Sequence, residues 1–181
     1  MHLLHELEIP VEVYFIDTGY HFPETYRFAE KLKREWGIRL RSISADTKIR
    51  KYVHEQLGDE PWKENSNLCC HFLKVTPLLQ VMHEKDAWIS GLRRDQSPSR
   101  EAIDIFQLDS RGTLKVYPLA HYRSDDVWDE IRKESIPYHP LHDEGYMSIG
   151  CKPCTTPSGS GENERSGRWR GSGKLECGIH L

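Results

Sequence analysis

Long apolar runs are missing from this chain of 181 residues: no stretch approaches the eighteen or so residues needed to span a bilayer. The opening MHLLHELEIP has neither the basic start nor the small-residue cleavage site of a secretory signal. A surplus of positive charge is missing as well. With 25 Lys and Arg against 28 Asp and Glu, the net charge is −3, so no global basic field draws the chain to nucleic acid. A membrane span and a nucleic-acid partner are thereby set aside, and a reducing, cytoplasmic compartment is expected. Cysteine is scarce, at five residues. In such a compartment cysteines serve as ligands or catalysts more readily than as disulfides, and the odd count leaves one unpaired in any scheme. Internal repeats are absent. The 37% hydrophobic and 29% charged content suits one soluble globular domain with a core.

What is present alternates strand with helix. VEVYFID (Val11 to Asp17) is a short apolar run that ends in the loop DTG, as a buried strand does at its carboxyl edge. PETYRFAEKLKREWG reads as a helix, with Pro23 in the first turn, Tyr26, Ala29, Leu32 and Trp36 at helical spacing, and Gly37 as its stop. IRLRSIS follows as a strand and TKIRKYVHEQLG as a helix. NLCCHFLKVTPLLQVMHE is expected to be helical with a kink at Pro77, AWISG a strand, and AIDIFQL and TLKVYPL, about the turn DSRG, a hairpin or a strand with a reversal. Ser124 is expected to cap the helix DDVWDEIRKES. This order implies an α/β layered domain over residues 1–154 with a mostly parallel sheet. Residues 155–181, rich in glycine and without period, are expected to form a mobile tail.

In such sheets ligands bind beyond the carboxyl ends of the strands. The loops DTG (Asp17, Thr18, Gly19) and SGLRRDQS lie there, and Arg93, Arg94 and Arg100 could pair with a sulfate or phosphate. The plain alternative is a solvated basic loop. Cys69 and Cys70 are adjacent, and Cys151 and Cys154 form CKPC. Four thiolates can close an iron–sulfur cluster or a zinc site, or remain unpaired core thiols; a vicinal disulfide is disfavoured by strain and compartment. An adjacent pair fits a zinc knuckle poorly and suits separate irons of a larger cluster. Lys74, four residues after Cys70 on a helix, faces the same way, unless it is simply an exposed lysine. His139 and His142 in HPLH read as polar structural contacts ahead of metal ligands.

The segments DTGYHFPETY, CCHFLKVTPL, SGLRRDQSPSR, YPLAHYRSDDVW, IPYHPLHDEGYMSIGCKPCT, ERSGRW and ECGIHL, in this order, resemble the assimilatory adenylyl-sulfate (APS) reductases. These are relatives of the phosphoadenylyl-sulfate (PAPS) reductases in the adenine nucleotide alpha hydrolase-like fold. The resemblance implies that the Cys177 thiolate attacks the sulfur of APS, expels AMP and carries an S-sulfocysteine. Thioredoxin or a similar dithiol then releases sulfite, as a step in sulfate assimilation and cysteine biosynthesis. It implies a [4Fe-4S] cluster on Cys69, Cys70, Cys151 and Cys154 that assists the substrate without carrying electrons. Asp17, Thr18, Gly19, Lys74, Gly91, Arg93, Arg94 and Arg100 are the implied substrate residues, Arg165 and Arg168 a basic pair that closes with the tail, and His180 a positioning residue. Both cysteine pairs place the chain on the APS side, with PAPS as the alternative substrate; a homo-oligomer is left open.

Two departures accompany the resemblance. The glycine- and serine-rich pyrophosphate loop that follows the family's first strand has no counterpart, and SGSGEN at Ser158 lacks the strand and helix such a loop requires. The chain is therefore expected to be shortened at its N-terminus, without that first strand and loop, with MHLLHELEIP as the rest of the following helix. The link RWRGSGKLECG is also shorter than the family's. A catalytically impaired iron–sulfur or zinc scaffold is the rival from another class, and an ATP-using adenylating enzyme of the same fold ranks last.

Overall fold

The computed structural model describes residues 1–109, 111–159 and 161–180. Among the described residues five strands and seven α-helices follow one another, alternating at first and then running as four helices and three strands: α1 (His2–Glu6), β1 (Val13–Ile16), α2 (Pro23–Trp36), β2 (Leu40–Ile43), α3 (Thr47–Leu57), α4 (Pro61–Glu64), α5 (Ser66–Cys70), α6 (Thr76–Met82), β3 (Ala87–Ile89), β4 (Phe106–Leu108), β5 (Leu114–Val116) and α7 (Ser124–Lys133). β1 pairs in parallel with β2, with Val13 opposite Leu40 and Ile16 opposite Ile43. β3 pairs in parallel with β5, and β4 closes antiparallel on β5 as the expected hairpin, whose turn residue Ser110 lies outside the described residues. The fold is the α/β class with mainly parallel pairing that the alternation implies.

No ladder joins β1 to β3 among the described residues. The starts of the two sheets are nonetheless neighbours, because Lys85 reaches Glu12 at 3.2 Å. Each sheet has its own apolar packing. Ala45, Val53, Cys69 and Leu73 are buried together with Tyr20, Trp62 and Phe72 against them, while Leu92, Tyr117 and Ala120 are buried near Ile103 and Ile105. The first of these groups already contains a cysteine of interest.

Local chemistry explains most boundaries. α2 opens on Pro23, whose missing N–H costs nothing in a first turn, and closes on Gly37 in the left-handed conformation at φ +61°. The Asp46 side chain accepts the Ile49 N–H at 2.8 Å and caps α3. Two expectations are corrected. Ser124 is the first residue of α7 and not its cap; the Arg123 N–H donates to Asp126 Oδ2 at 2.7 Å, and the Ser124 N–H donates to Asp95 Oδ2 at 2.6 Å. The disturbance before Pro77 is a π-helical turn, His71–Val75, joining α5 to α6. Proline supplies no N–H to the carbonyl four residues back and its ring crowds that carbonyl, so the preceding turn widens. The Thr76 hydroxyl adds a bond to the His71 carbonyl at 3.0 Å.

The segment expected as a mobile tail lies against the rest of the molecule. Thr155 and Arg168 form an antiparallel bridge, the Thr156 N–H donates to the Gly167 carbonyl at 2.9 Å, and the Trp169 N–H donates to the Cys154 carbonyl at 3.0 Å. Arg168 and Trp169 are buried. Glycine carries part of this return, since any Cβ at Gly167 would collide with the Thr156 carbonyl oxygen. Composition had signalled freedom; charged and aromatic side chains scattered among the glycines supply the attachment.

Candidate active site

The carboxyl end of β1 delivers Asp17, Thr18 and Gly19. Asp17 Oδ1 accepts both the Gly19 N–H at 2.8 Å and the Tyr26 hydroxyl at 2.7 Å, turning the loop where Gly19 sits at φ +79°. Arg50 ties the loop down from α3, donating to the Thr18 carbonyl at 3.2 Å and the Asp17 carbonyl at 3.1 Å. Loop and CKPC are then joined directly. The Thr18 hydroxyl lies 3.2 Å from Cys151 Sγ, His21 bridges to Cys151, and the Lys152 N–H donates to the Tyr20 carbonyl at 2.7 Å. Arg50 gave no signal in the sequence, as a lone arginine on an amphipathic helix.

Cys69, Cys70, Cys151 and Cys154 line one cavity together with Thr18 and Lys74, and all four are free thiols. Asn65 caps α5, the helix that ends on Cys69 and Cys70, accepting the Asn67 and Leu68 N–H groups at 3.1 and 3.0 Å. Burial pushes the Cys69 thiol up to about 12, with repulsion from Cys70, Cys151 and Cys154 adding to it. Burial raises Cys154 too, again with its neighbours' help. Four thiols this crowded ionise together only if positive charge enters among them. No group of three or more His, Cys, Asp or Glu among the described residues is arranged to hold a single metal ion.

Two buried cations, Lys74 and Arg168, feel both the thiols of this cavity and that of Cys177. Burial works to lower the Lys74 ammonium, but the Cys151, Cys70 and Cys177 thiols outweigh it and hold it above its ordinary value. The Arg168 guanidinium is lowered by burial, against the pull of Cys177, Cys151, Cys154 and Cys70. Arg168 lies over the Trp169 ring at 4.4 Å, and its Nε has no partner. Trp169 itself takes φ +46°, an unfavourable conformation for a bulky residue and one that recurs at functional sites.

The remaining sites named in the sequence sort clearly. Arg93 bonds Asp95 at 2.9 Å and also Glu164, so it presents no free fork, while Arg94 donates its Nε to the Ile103 carbonyl at 2.6 Å. Gly91 packs near Leu119 with Cβ room of 3.7 Å. Arg100 holds Glu176, the residue before Cys177, through Nε and Nη2 at 2.7 and 2.8 Å; Arg165 adds a bond to the same carboxylate at 3.1 Å. His180 stacks on Trp88 of β3 with ring centroids 5.1 Å apart and planes 14° apart. His139 bonds the Thr25 hydroxyl at 3.0 Å, and His142 packs edge-on against Trp128, which are structural contacts. Glu176, Trp88 and Trp169 were not singled out in the sequence, although ECG and GRW contain two of them.

These geometries can be set beside known proteins. The model of the phosphoadenosine phosphosulfate reductase domain matches residues 1–157. The adenosine 5'-phosphosulfate reductase of Geobacillus kaustophilus (strain HTA426) is 44% identical over 181 residues, covering 99% of this chain and 77% of that protein. The chain belongs to the phosphoadenosine phosphosulfate reductase domain family. Adenosine 5'-phosphosulfate reductase 1 of Bacillus subtilis (strain 168) is 41% identical over 180 residues, again with 77% of its length covered. Among solved structures, phosphoadenylyl-sulfate (PAPS) reductase from Candida auris in a phosphate complex superposes with a TM-score of 0.72 at 27% identity, over 86% of this chain and 75% of that one. A Candida glabrata FMN adenylyltransferase, with a TM-score of 0.56 at 20% identity, shares the fold. No helix among the described residues is long and apolar enough to cross a membrane.

Acid is expected to loosen the docked 174–180 arm of this family member. Burial, with Arg100 repelling the charged form, pushes His180 from 6.5 down to about 3, with Glu176, Lys115 and Arg165 also facing it. A released His180 regains its ordinary value and binds protons more readily than the docked one, so docking is full above 6.5 and weakens as pH falls towards 3. Burial works to raise the Glu176 carboxyl, but Arg100 and Arg165 hold it below its ordinary 4.5, so its contribution is present above 4.5 and lost on further acidification. Hydrogen exchange of the 174–180 peptide, corrected for intrinsic pH dependence, should show less protection at pH 5 than at pH 8. Equal protection at both would contradict this docking.

Proposed function

We propose that this chain reduces APS to sulfite and AMP, with Cys177 as nucleophile and a dithiol such as thioredoxin as reductant. The observation that carries the proposal is the pair of buried cations that faces Cys177: Lys74, which lines the four-cysteine cavity, and Arg168, which lies over Trp169 and is drawn towards Cys177 and the cavity's thiols. A sulfonyl group transferred to Cys177 keeps its negative oxygens beside these cations, in a setting where charge is poorly screened by water. The Cys177 thiolate forms a bond to the sulfur of APS as the sulfur–oxygen bond to the phosphate breaks, and AMP leaves with the electron pair. One thiolate of the dithiol then bonds to Cys177 Sγ and expels sulfite; its second thiol frees Cys177, so the dithiol ends as a disulfide. That attack requires Cys177 to become accessible, which gives the docked arm an opening step.

Cys69, Cys70, Cys151 and Cys154 fit a [4Fe-4S] cluster as its ligands. A zinc ion needs four sulfurs converging within about 2.3 Å of one point. Adjacent Cys69 and Cys70 fit one zinc ion poorly, and a larger cluster takes each of the four thiolates that line the shared cavity on a different iron. When bound, the cluster supplies local charge beside the substrate's anionic end. Lys74 then lies at the boundary between cluster and Cys177.

APS is preferred to PAPS because the 41–44% identical relatives above bear the APS name, whereas the PAPS reductase structure is 27% identical. The test is sulfite release by iron-loaded protein with reduced thioredoxin, comparing the two nucleotides. Faster turnover of APS is expected. No sulfite from either, at full iron loading, would favour the metal scaffold.

A further inference from the structure

We propose that Glu176 is a positioning residue: its carboxylate is the latch that seats Cys177 in the site, and Arg100 is the latch's receptor. Five donors meet the carboxylate. Arg100 Nε and Nη2 approach at 2.7 and 2.8 Å, Arg165 Nη2 at 3.1 Å, and the hydroxyls of Ser97 and Ser99 both at 3.2 Å. Arg165 Nη2 also donates to the Leu175 carbonyl at 3.1 Å, fixing the backbone just before the latch. The partners are removed from water, with side-chain exposures of 14% for Glu176, 9% for Arg100 and 12% for Arg165.

Apolar burial at Leu175 does not help seat the arm, because that residue is 61% exposed. The charged residue beside it goes in instead. A buried carboxylate is costly unless nearly all its lone pairs are met, so the arm favours a closed state with the full clamp or an open one in water over intermediates. Glycines flank the latch: Gly171 at φ +81°, Gly173 at +69° and Gly178 at +86° let the segment turn into and out of the clamp. Gly178 also approaches the π-turn, where a Cβ would lie 3.4 Å from Val75 Cγ2. Closing the latch therefore sets Cys177 against the segment that carries Lys74.

The proposal deepens the APS reading by assigning Arg100 to the arm rather than to the nucleotide, yet arm seating is measurable without APS. Iodoacetamide is the probe, with alkylation at Cys177 resolved from the other cysteines by peptide mass spectrometry on iron-loaded full-length chain. Glu176→Gln, nearly isosteric, should speed Cys177 alkylation by about tenfold or more, with Glu176→Asp intermediate. With APS, Glu176→Gln should lower kcat and leave KM within about twofold. Unchanged alkylation overturns the latch, and so does a raised KM with unchanged kcat, which would place the pair on the nucleotide. Should Glu176→Gln fail to fold, Ser97→Ala with Ser99→Ala removes two clamp donors, and the same rise or constancy decides. Faster alkylation in a chain that forms no sulfite would uphold the latch and count against the APS reading alone.

Discussion

Cys177→Ser is expected to abolish sulfite release, by at least about three orders of magnitude, while iron content and melting temperature stay at the parent values. Loss of a nucleophile leaves only binding and electrostatics to assist the reaction, and a serine hydroxyl is no substitute for a thiolate towards sulfonyl sulfur. Retention of iron follows from position: Cys177 is not in the wall of the four-cysteine cavity, whereas Cys69, Cys70, Cys151 and Cys154 are. Cys70→Ala should do the reverse to the metal and lose iron. A Cys177→Ser protein that still released sulfite would remove the nucleophile from this account, whatever its iron content.

Arg168 should show the second large effect. Arg93, Arg100 and Arg165 each have a carboxylate partner within the chain, so their charge is already spent on Glu164, Asp95 and Glu176. Arg168 has no such ion pair among the described residues, and Trp169 holds its guanidinium from one face. It is left to meet the negative oxygens of the sulfonyl group as they transfer to Cys177. Arg168→Ala should cost about 10²–10³-fold in kcat, the usual loss when one preorganised donor is removed. Gly150→Ala should reproduce much of the loss without touching the charge. A Cβ there would lie 2.8 Å from Arg168 Nη1 and closer still to Nη2, so the guanidinium must move. Steady-state kinetics on both variants, with melting curves to confirm folding, check this; parent kcat in both would show that Arg168 is only structural.

Some of this site can be read in the sequence, and the reasons differ by residue. α2 has the bounds its signals indicate, because Pro23 and Gly37 act locally on the backbone. The two cysteine pairs lie far apart in sequence, but their residue type restricts what they can do, and the structure brings them to one cavity with Thr18 and Lys74. Pro77 announces a disturbed helix without indicating how it is relieved, since kink and π-turn both answer a missing donor. The arm was harder to read. Its glycines describe local freedom, whereas its attachment depends on Glu176 meeting Arg100 across 76 positions and on His180 finding Trp88. Such pairings belong to tertiary structure, and no local pattern encodes them. The arginines illustrate the same point: their number near SGLRRDQSPSR suggested an anion site, yet carboxylates of the chain itself occupy Arg93 and Arg100.

The joining of the loop after β1 to Cys151 has a mechanical consequence. Because Thr18, His21 and Tyr20 all contact the CKPC segment, the position of the four-cysteine cavity is set by the sheet edge that also frames the site. The arm leaves from the same segment, where the Trp169 N–H donates to the Cys154 carbonyl and Thr155 bridges to Arg168.

The most direct measurement is peptide mass spectrometry of iron-loaded protein after incubation with APS in the absence of any dithiol. A sulfonate on Cys177 alone, discharged as sulfite when reduced thioredoxin is added, is the predicted result. A fully loaded protein whose Cys177 remains unmodified, or a sulfonate found on one of the other four cysteines, would contradict it.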